Sequence, residues 1–243
     1  MLAIFKREIQ SFFTSPIGYM VIGLFLTLNG LFLWVFKGPF NVFDYGFADL
    51  GNFFLLTPWV FLFLIPAITM KSFSEERKMG TLELLFIKPI SIWQTVLGKF
   101  LGTLALALIA LAPTLLYVYT VGQLGTTVNN FDSGIVIGSY LGLFFLLTSY
   151  IAIGLFSSTL SKNQIVAFII SMVLSFLLYY GFQGLSTLID SGSVALTIQN
   201  LGMQAHFESI ARGVMDTRDL LYFMSMTLFF LFLTVTQLKH HNQ

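Results

Sequence analysis

A 243-residue chain with 56% hydrophobic and 9% charged side chains, a mean hydropathy of +0.86 and 28 Phe has the composition of a membrane protein rather than a water-soluble globule. The lack of Cys excludes disulfides, thiol catalysis and Cys-based metal sites. A net charge of +1 says nothing about partners, although its distribution along the chain does.

The first predicted element covers residues 1–15. Leu2, Phe5, Ile9, Phe12 and Phe13 share one helical face, with Lys6, Arg7, Glu8 and Gln10 elsewhere, the pattern of an amphipathic helix lying in a membrane interface. Ser15-Pro16 breaks it, because a residue before proline disfavours the α region. Charges at 6–8 and a long apolar run behind them exclude a cleavable signal peptide.

Six stretches of 19 residues or more then carry no charge: 17–36, 50–70, 101–131, 133–161, 163–189 and 220–238. A bilayer core takes roughly 20 apolar helical residues to cross. With no water there to satisfy the backbone, each run must be helical. The expected fold is all-α, one polytopic membrane domain over 1–243 with six transmembrane helices. Pro58, Pro66 and Pro113 fall inside spans and predict kinks. Gly138, Gly142 and Gly154 should let helices approach closely. Asn29, Thr148, Ser149, Ser157, Ser158, Ser171, Ser175 and Gln183 should mostly bond between helices.

The segment 71–99 is longer than a turn between two spans needs. Leu82, Leu85, Phe86 and Pro89 recur at helical spacing and give a short helix one apolar face. Ser91-x-x-Gln94 is a capping box opening the next long helix. Such a helix across the mouth of two spans is either a docking surface or a connector held by lipid. Further on, the short link 161–164 makes spans four and five an antiparallel hairpin. The segment 190–218 carries a helical stripe of Phe207, Ile210, Ala211 and Val214, with Asp216 and Asp219 opening span six. Residues 239–243 are a short polar tail.

Basic residues orient the chain. With a cytoplasmic N-terminus, Lys6, Arg7, Lys71, Arg77, Lys78, Lys88, Lys99, Lys162 and Lys239 lie inside. Only Lys37, Arg212 and Arg218 lie outside, nine against three. Both termini are then cytoplasmic, 71–99 is a cytoplasmic loop and 190–218 an outer one.

No Asp, Glu, Lys, Arg or His stands in the middle of any span, which argues against a proton-coupled transporter. All three His (His206, His240, His241) lie outside the runs, so no intramembrane Ser/His pair is available, and His206 reads as structural. There is no G-x-x-x-x-G-K-[ST] phosphate loop, so any ATP that drives this chain binds elsewhere.

The run Glu76-Arg77-Lys78-Met79-Gly80-Thr81-Leu82-Glu83-Leu84-Leu85, with Pro89 and then Leu97-Gly98-Lys99, resembles the signature of ABC-2-type exporter permeases. The six-span layout, the N-terminal helix and Ser161-x-Asn163-Gln164 extend the likeness over the chain. Residues 6–36 and 206–223 are similar to the subgroup that includes the gliding-motility-associated permease of Bacteroidetes. The resemblance implies an ABC-2-type exporter fold in a bacterial inner membrane. It implies a non-enzymatic permease that holds no cofactor and pairs with a second permease, as homodimer or heterodimer. Cytoplasmic ABC ATPase subunits, carrying ATP and Mg, would dock through a short helix at 81–87. Glu76, Gly80, Thr81, Leu82, Glu83, Leu85, Phe86 and Pro89 are then the ATPase-coupling residues. Lipid is the other expected partner, and nucleic acid is not one. The competing readings are a stand-alone secondary transporter and a structural anchor in a motility or secretion assembly.

Overall fold

Each charge-free run contains a long helical stretch among the described residues. In the computed structural model, which describes residues 1–47, 49–81, 91–124, 131–189, 192–213 and 216–240, the described residues form helices and connections with no strand. Helix α1 is Leu2–Thr14. Among the described residues, six helical stretches are long and apolar enough to cross a membrane: Pro16–Val35, Gly51–Lys78, Ile92–Leu124, Ser133–Leu160, Gln164–Ser186 and Thr217–His240, spans one to six. Consecutive spans alternate in direction. Both termini of the described chain therefore lie at one end of the bundle (proximal), and the described residues of 36–50 and 187–216, with the end of span three and the start of span four, lie at the other (distal).

Sequence signals set the ends of these helices. Ser91 Oγ accepts the Gln94 N–H at 3.2 Å, as the capping box predicts, and opens span three. Asp132 caps span four through the N–H groups of Gly134 and Ile135, and Asn163 caps span five through that of Ile165. Pro58 and Pro66 are accommodated within helix, whereas Pro113 sits in a single 3₁₀ turn, Ala112–Thr114. Two π-helical turns, Leu31–Val35 and Leu177–Gly181, have no sequence signal that we recognise.

Span four is the hub, packing on spans two, three, five and six and on the distal helix Met203–Ala211. Its glycines explain why. A Cβ on Gly154 would lie 2.1 Å from Thr69 Oγ1 of span two, one on Gly138 2.6 Å from the Ile210 carbonyl, and one on Gly142 3.1 Å from the Phe207 ring. These are the close approaches expected of small residues, which matter because apolar helices in lipid gain no hydrophobic drive toward one another. Spans one and five are the least buried of the six.

Polar side chains supply part of the remaining adhesion. Thr57 of span two donates to Asn29 Oδ1 of span one at 3.3 Å. Thr114 of span three bonds Tyr140 of span four at 2.9 Å, and Thr227 of span six bonds Thr148 and Ser149 of span four. Ser157 and Ser158 instead bond carbonyls of their own helix, and the buried Ser171 and Ser175 hydroxyls take no partner among the described residues. Position within a span did not reveal this difference, because a Ser hydroxyl reaches its own preceding turn as easily as a neighbouring helix.

Candidate functional site

The segment 71–99 is shorter as a connection than the sequence suggests. Span two continues as helix to Lys78 and span three begins at Ile92, leaving 79–91 between them. Leu82, Glu83, Leu85, Phe86 and Pro89 lie outside the described residues. Glu76, Gly80 and Thr81 do not, and their geometry explains the spacing of the motif.

The end of span two is a Schellman motif. Gly80 has φ +68°, a left-handed conformation that costs glycine nothing. The Gly80 N–H donates to the Arg77 carbonyl at 3.4 Å and the Thr81 N–H to the Glu76 carbonyl at 2.9 Å, the two bonds that define this cap. Thr81 Oγ1 adds a third bond to the Glu76 carbonyl at 3.3 Å. Glu76-x-x-x-Gly80-Thr81 is therefore a helix terminator whose first residue also sends its side chain inward.

That side chain ends in a buried charge cluster. Lys99 of span three, 3% exposed, places Nζ 3.0 Å from Glu76 Oε1 and 3.0 Å from Glu8 Oε1 of α1. Arg7, largely in solvent, approaches Glu76 Oε1 at 3.4 Å. The Lys99 ammonium also lies 5.1 Å from the centre of the Phe73 ring, within cation–π range. Glu76 Oε2 is buried without a hydrogen-bond partner among the described residues. One residue along, the Arg77 guanidinium donates to the Thr159 carbonyl at the end of span four. Four elements thus converge here: α1 and the proximal ends of spans two, three and four.

Glycine lets α1 come close enough to take part. A Cβ on Gly98 would stand 2.8 Å from the Ile4 side chain, and one on Gly102 2.7 Å from Glu8 Cβ. The pair is spaced small-x-x-x-small, which brings two backbones together. The face of α1 that meets the bundle runs through Ile4, Glu8 and Phe12, whereas Leu2, counted in the apolar stripe, is 70% exposed. Hydrophobic periodicity missed this face because its central residue is a carboxylate. The available signal was Gly98-x-x-x-Gly102 beside Lys99.

A second polar assembly stands at the distal end. His206 Nδ1 lies 2.6 Å from Asp219 Oδ1 and Nε2 lies 2.9 Å from the Asn200 carbonyl. The ring thus faces an oxygen at each of its nitrogens. It stacks on Tyr222 with centroids 3.9 Å apart, and the Tyr222 hydroxyl donates to the Leu201 carbonyl. Asp216 accepts from the Arg218 N–H near the start of span six, as expected, but Asp219 is buried and turned to His206. Phe207 and Ile210 of the predicted stripe are buried; Val214 lies outside the described residues. Among the described residues no group of His, Asp and Glu has the arrangement of a metal site.

None of the curated proteins matches the chain. Residues 2–239 match the family described as ABC-2 family transporter protein. That match spans both polar assemblies and all six long helices, so the chain is a multi-pass membrane protein that belongs to the ABC-2 transporter family.

Proposed function

We propose that this chain is the membrane-spanning permease subunit of an ATP-driven ABC-2-type transporter, acting with separate ATPase subunits and a second permease. The observation that carries the reading is the anchoring of 79–91. One end is terminated by Glu76, Gly80 and Thr81, the other opens at Ser91, and the Glu76–Lys99 contact ties the two helices together behind it. A force applied to this connection reaches spans two and three directly and α1 through Glu8. The ATPase docks on Leu82, Glu83, Leu85 and Phe86, with Pro89 ending the docking helix, and supplies the ATP and Mg chemistry. The proximal end is cytoplasmic in a bacterial inner membrane, in keeping with the nine-to-three distribution of basic residues. The likeness of 6–36 and 206–223 to gliding-motility-associated permeases supports a role in such a system.

Co-purification with the ATPase tests this. Burying two Leu-sized groups and one charged hydrogen bond contributes about 1.5–3 kcal/mol each. Leu82→Ala with Glu83→Ala should therefore weaken docking by about two to four orders of magnitude. The amount of the variant in the membrane is the control. Retention of the partner at wild-type yield would mean that the connection does not dock it.

A further inference from the structure

Span four ends without a cap of its own. Its last residue is Leu160, the next is extended Ser161 (φ −136°, ψ 146°), and no basic side chain stands in its last turn. A helix leaves its last four carbonyls without intrahelical donors. For the Thr159 carbonyl, the donor of a continued helix would be the Asn163 N–H, and that group donates instead to Ser161 Oγ at 3.0 Å. Asn163 Oδ1 in turn accepts the Ile165 N–H at 2.9 Å and opens span five. The turn Ser161-x-Asn163-Gln164 thus ends one helix, starts the next and leaves the Thr159 carbonyl open.

Arg77 caps that carbonyl from another helix. Its guanidinium donates to Thr159 O, supplying a charged hydrogen bond and the cation that a helix C-terminus favours. Arg77 is half-buried and Thr159 is buried. At 3.6 residues per turn, neighbours on a helix point about 100° apart. Glu76 therefore turns to Lys99 of span three, and Arg77 to span four. The last turn of span two is held on both sides immediately before residues 79–91. The rest of Lys71–Lys78 packs on spans four and five.

We propose that Arg77 is the positioning residue through which movement of residues 79–91 reaches the hairpin of spans four and five, with Ser161 and Asn163 keeping the Thr159 carbonyl free to receive it. Displacing the end of span two pulls on the last turn of span four, the helix against which spans two, three, five and six pack. Span five follows, because only residues 161–163 separate it from span four and little of its surface is buried. Two stretches 82 positions apart in the chain act here as one contact. Arg77 takes no part in ATP chemistry or in docking. The inference rests on the ATPase-driven reading above.

Hydrogen exchange on the full chain with its ATPase in nanodiscs, with and without ATP, tests it. In the unmodified complex ATP should change exchange both at the Thr81 amide and within residues 157–165. In Arg77→Gln the ATPase should still co-purify and the Thr81 response should persist, while the response at 157–165 is lost. Arg77→Lys keeps a cationic donor and should restore it. A cap with a structural role alone would alter basal exchange and leave the nucleotide response in place. Without the ATPase, Arg77→Gln should speed exchange in the last turn of span four by roughly tenfold, the loss of one charged hydrogen bond. Ser161→Ala leaves span two unaltered and returns the Asn163 N–H to compete for the carbonyl, so it should blunt the same nucleotide response. A full response at 157–165 in either the Arg77→Gln or the Ser161→Ala variant would overturn the proposal. So would a response confined to Thr81 in the unmodified complex, or loss of docking in Arg77→Gln. An unmodified chain that holds no ATPase would overturn both readings, and that failure appears at co-purification, before any exchange is measured.

Discussion

Lys99 and Glu76 stand on the two helices that flank residues 79–91, and their side chains meet at 3.0 Å. The same ammonium reaches Glu8 of α1, so one buried cation joins three elements. Taking charged groups out of water is costly, and such a cluster holds only while its members are paired.

Lys99→Met should therefore be severe. It strands the carboxylates of Glu8 and Glu76 with no cation between them, and breaking a buried pair from one side costs about 3–5 kcal/mol. Lys99→Met combined with Glu8→Gln and Glu76→Gln should recover most of the loss, because no buried charge is then unpaired. Thermal unfolding of purified protein in detergent measures both. A triple variant no more stable than the single one would mean that the cluster is not held by charge pairing.

Gly102→Ala tests the seat of α1. The new Cβ falls 2.7 Å from Glu8 Cβ, so the helices must separate, at the roughly 1–3 kcal/mol usual for overpacking. Limited proteolysis should cut within residues 1–15 faster than in the unmodified protein. Gly23→Ala, where a Cβ meets nothing within 4 Å, should digest like wild type.

At Gly80 the constraint is conformational rather than steric. A Cβ there has open space, but φ is +68°. Gly80→Ala should cost about 1–2 kcal/mol, and Gly80→Asn less, because Asn tolerates the left-handed region. Hydrogen exchange at the Thr81 amide reports the cap directly, with faster exchange in the Ala variant than in the Asn one.

His206→Phe separates stacking from hydrogen bonding at the distal end. The ring on Tyr222 is kept, while Asp219 and the Asn200 carbonyl lose their imidazole partner. An unsatisfied buried polar group costs about 1–3 kcal/mol. Reduced thermal stability, with faster exchange confined to residues 199–212, is the expected result. An unchanged melting temperature would mean that stacking alone holds the turn.

Orientation is open to direct measurement, because the chain has no native Cys. A single Cys at Lys162 should be shielded from an impermeant thiol reagent in intact cells, and one at Arg212 should be labelled. The reverse pattern would place 79–91 on the wrong side for an ATPase.

The sequence by itself determined the six helices, their alternation and most of their ends. Each rests on a local rule: charge-free length, capping side chains at Ser91, Asp132 and Asn163, and a left-handed glycine at position 80. It also singled out Glu76, Gly80 and Thr81 by their resemblance to a motif, without a reason for their spacing. The tertiary structure supplied that reason, a helix cap whose carbonyl and carboxylate belong to one residue. It alone decided that Lys99 points inward to Glu8 and Glu76, that Asp219 leaves its helix end for His206, and which hydroxyls bond across helices. Periodicity sorts residues by apolarity, so it assigns a charge to solvent or to a loop. Whether that charge is instead buried depends on a partner 91 residues away, as from Glu8 to Lys99, and on glycines that let two backbones meet.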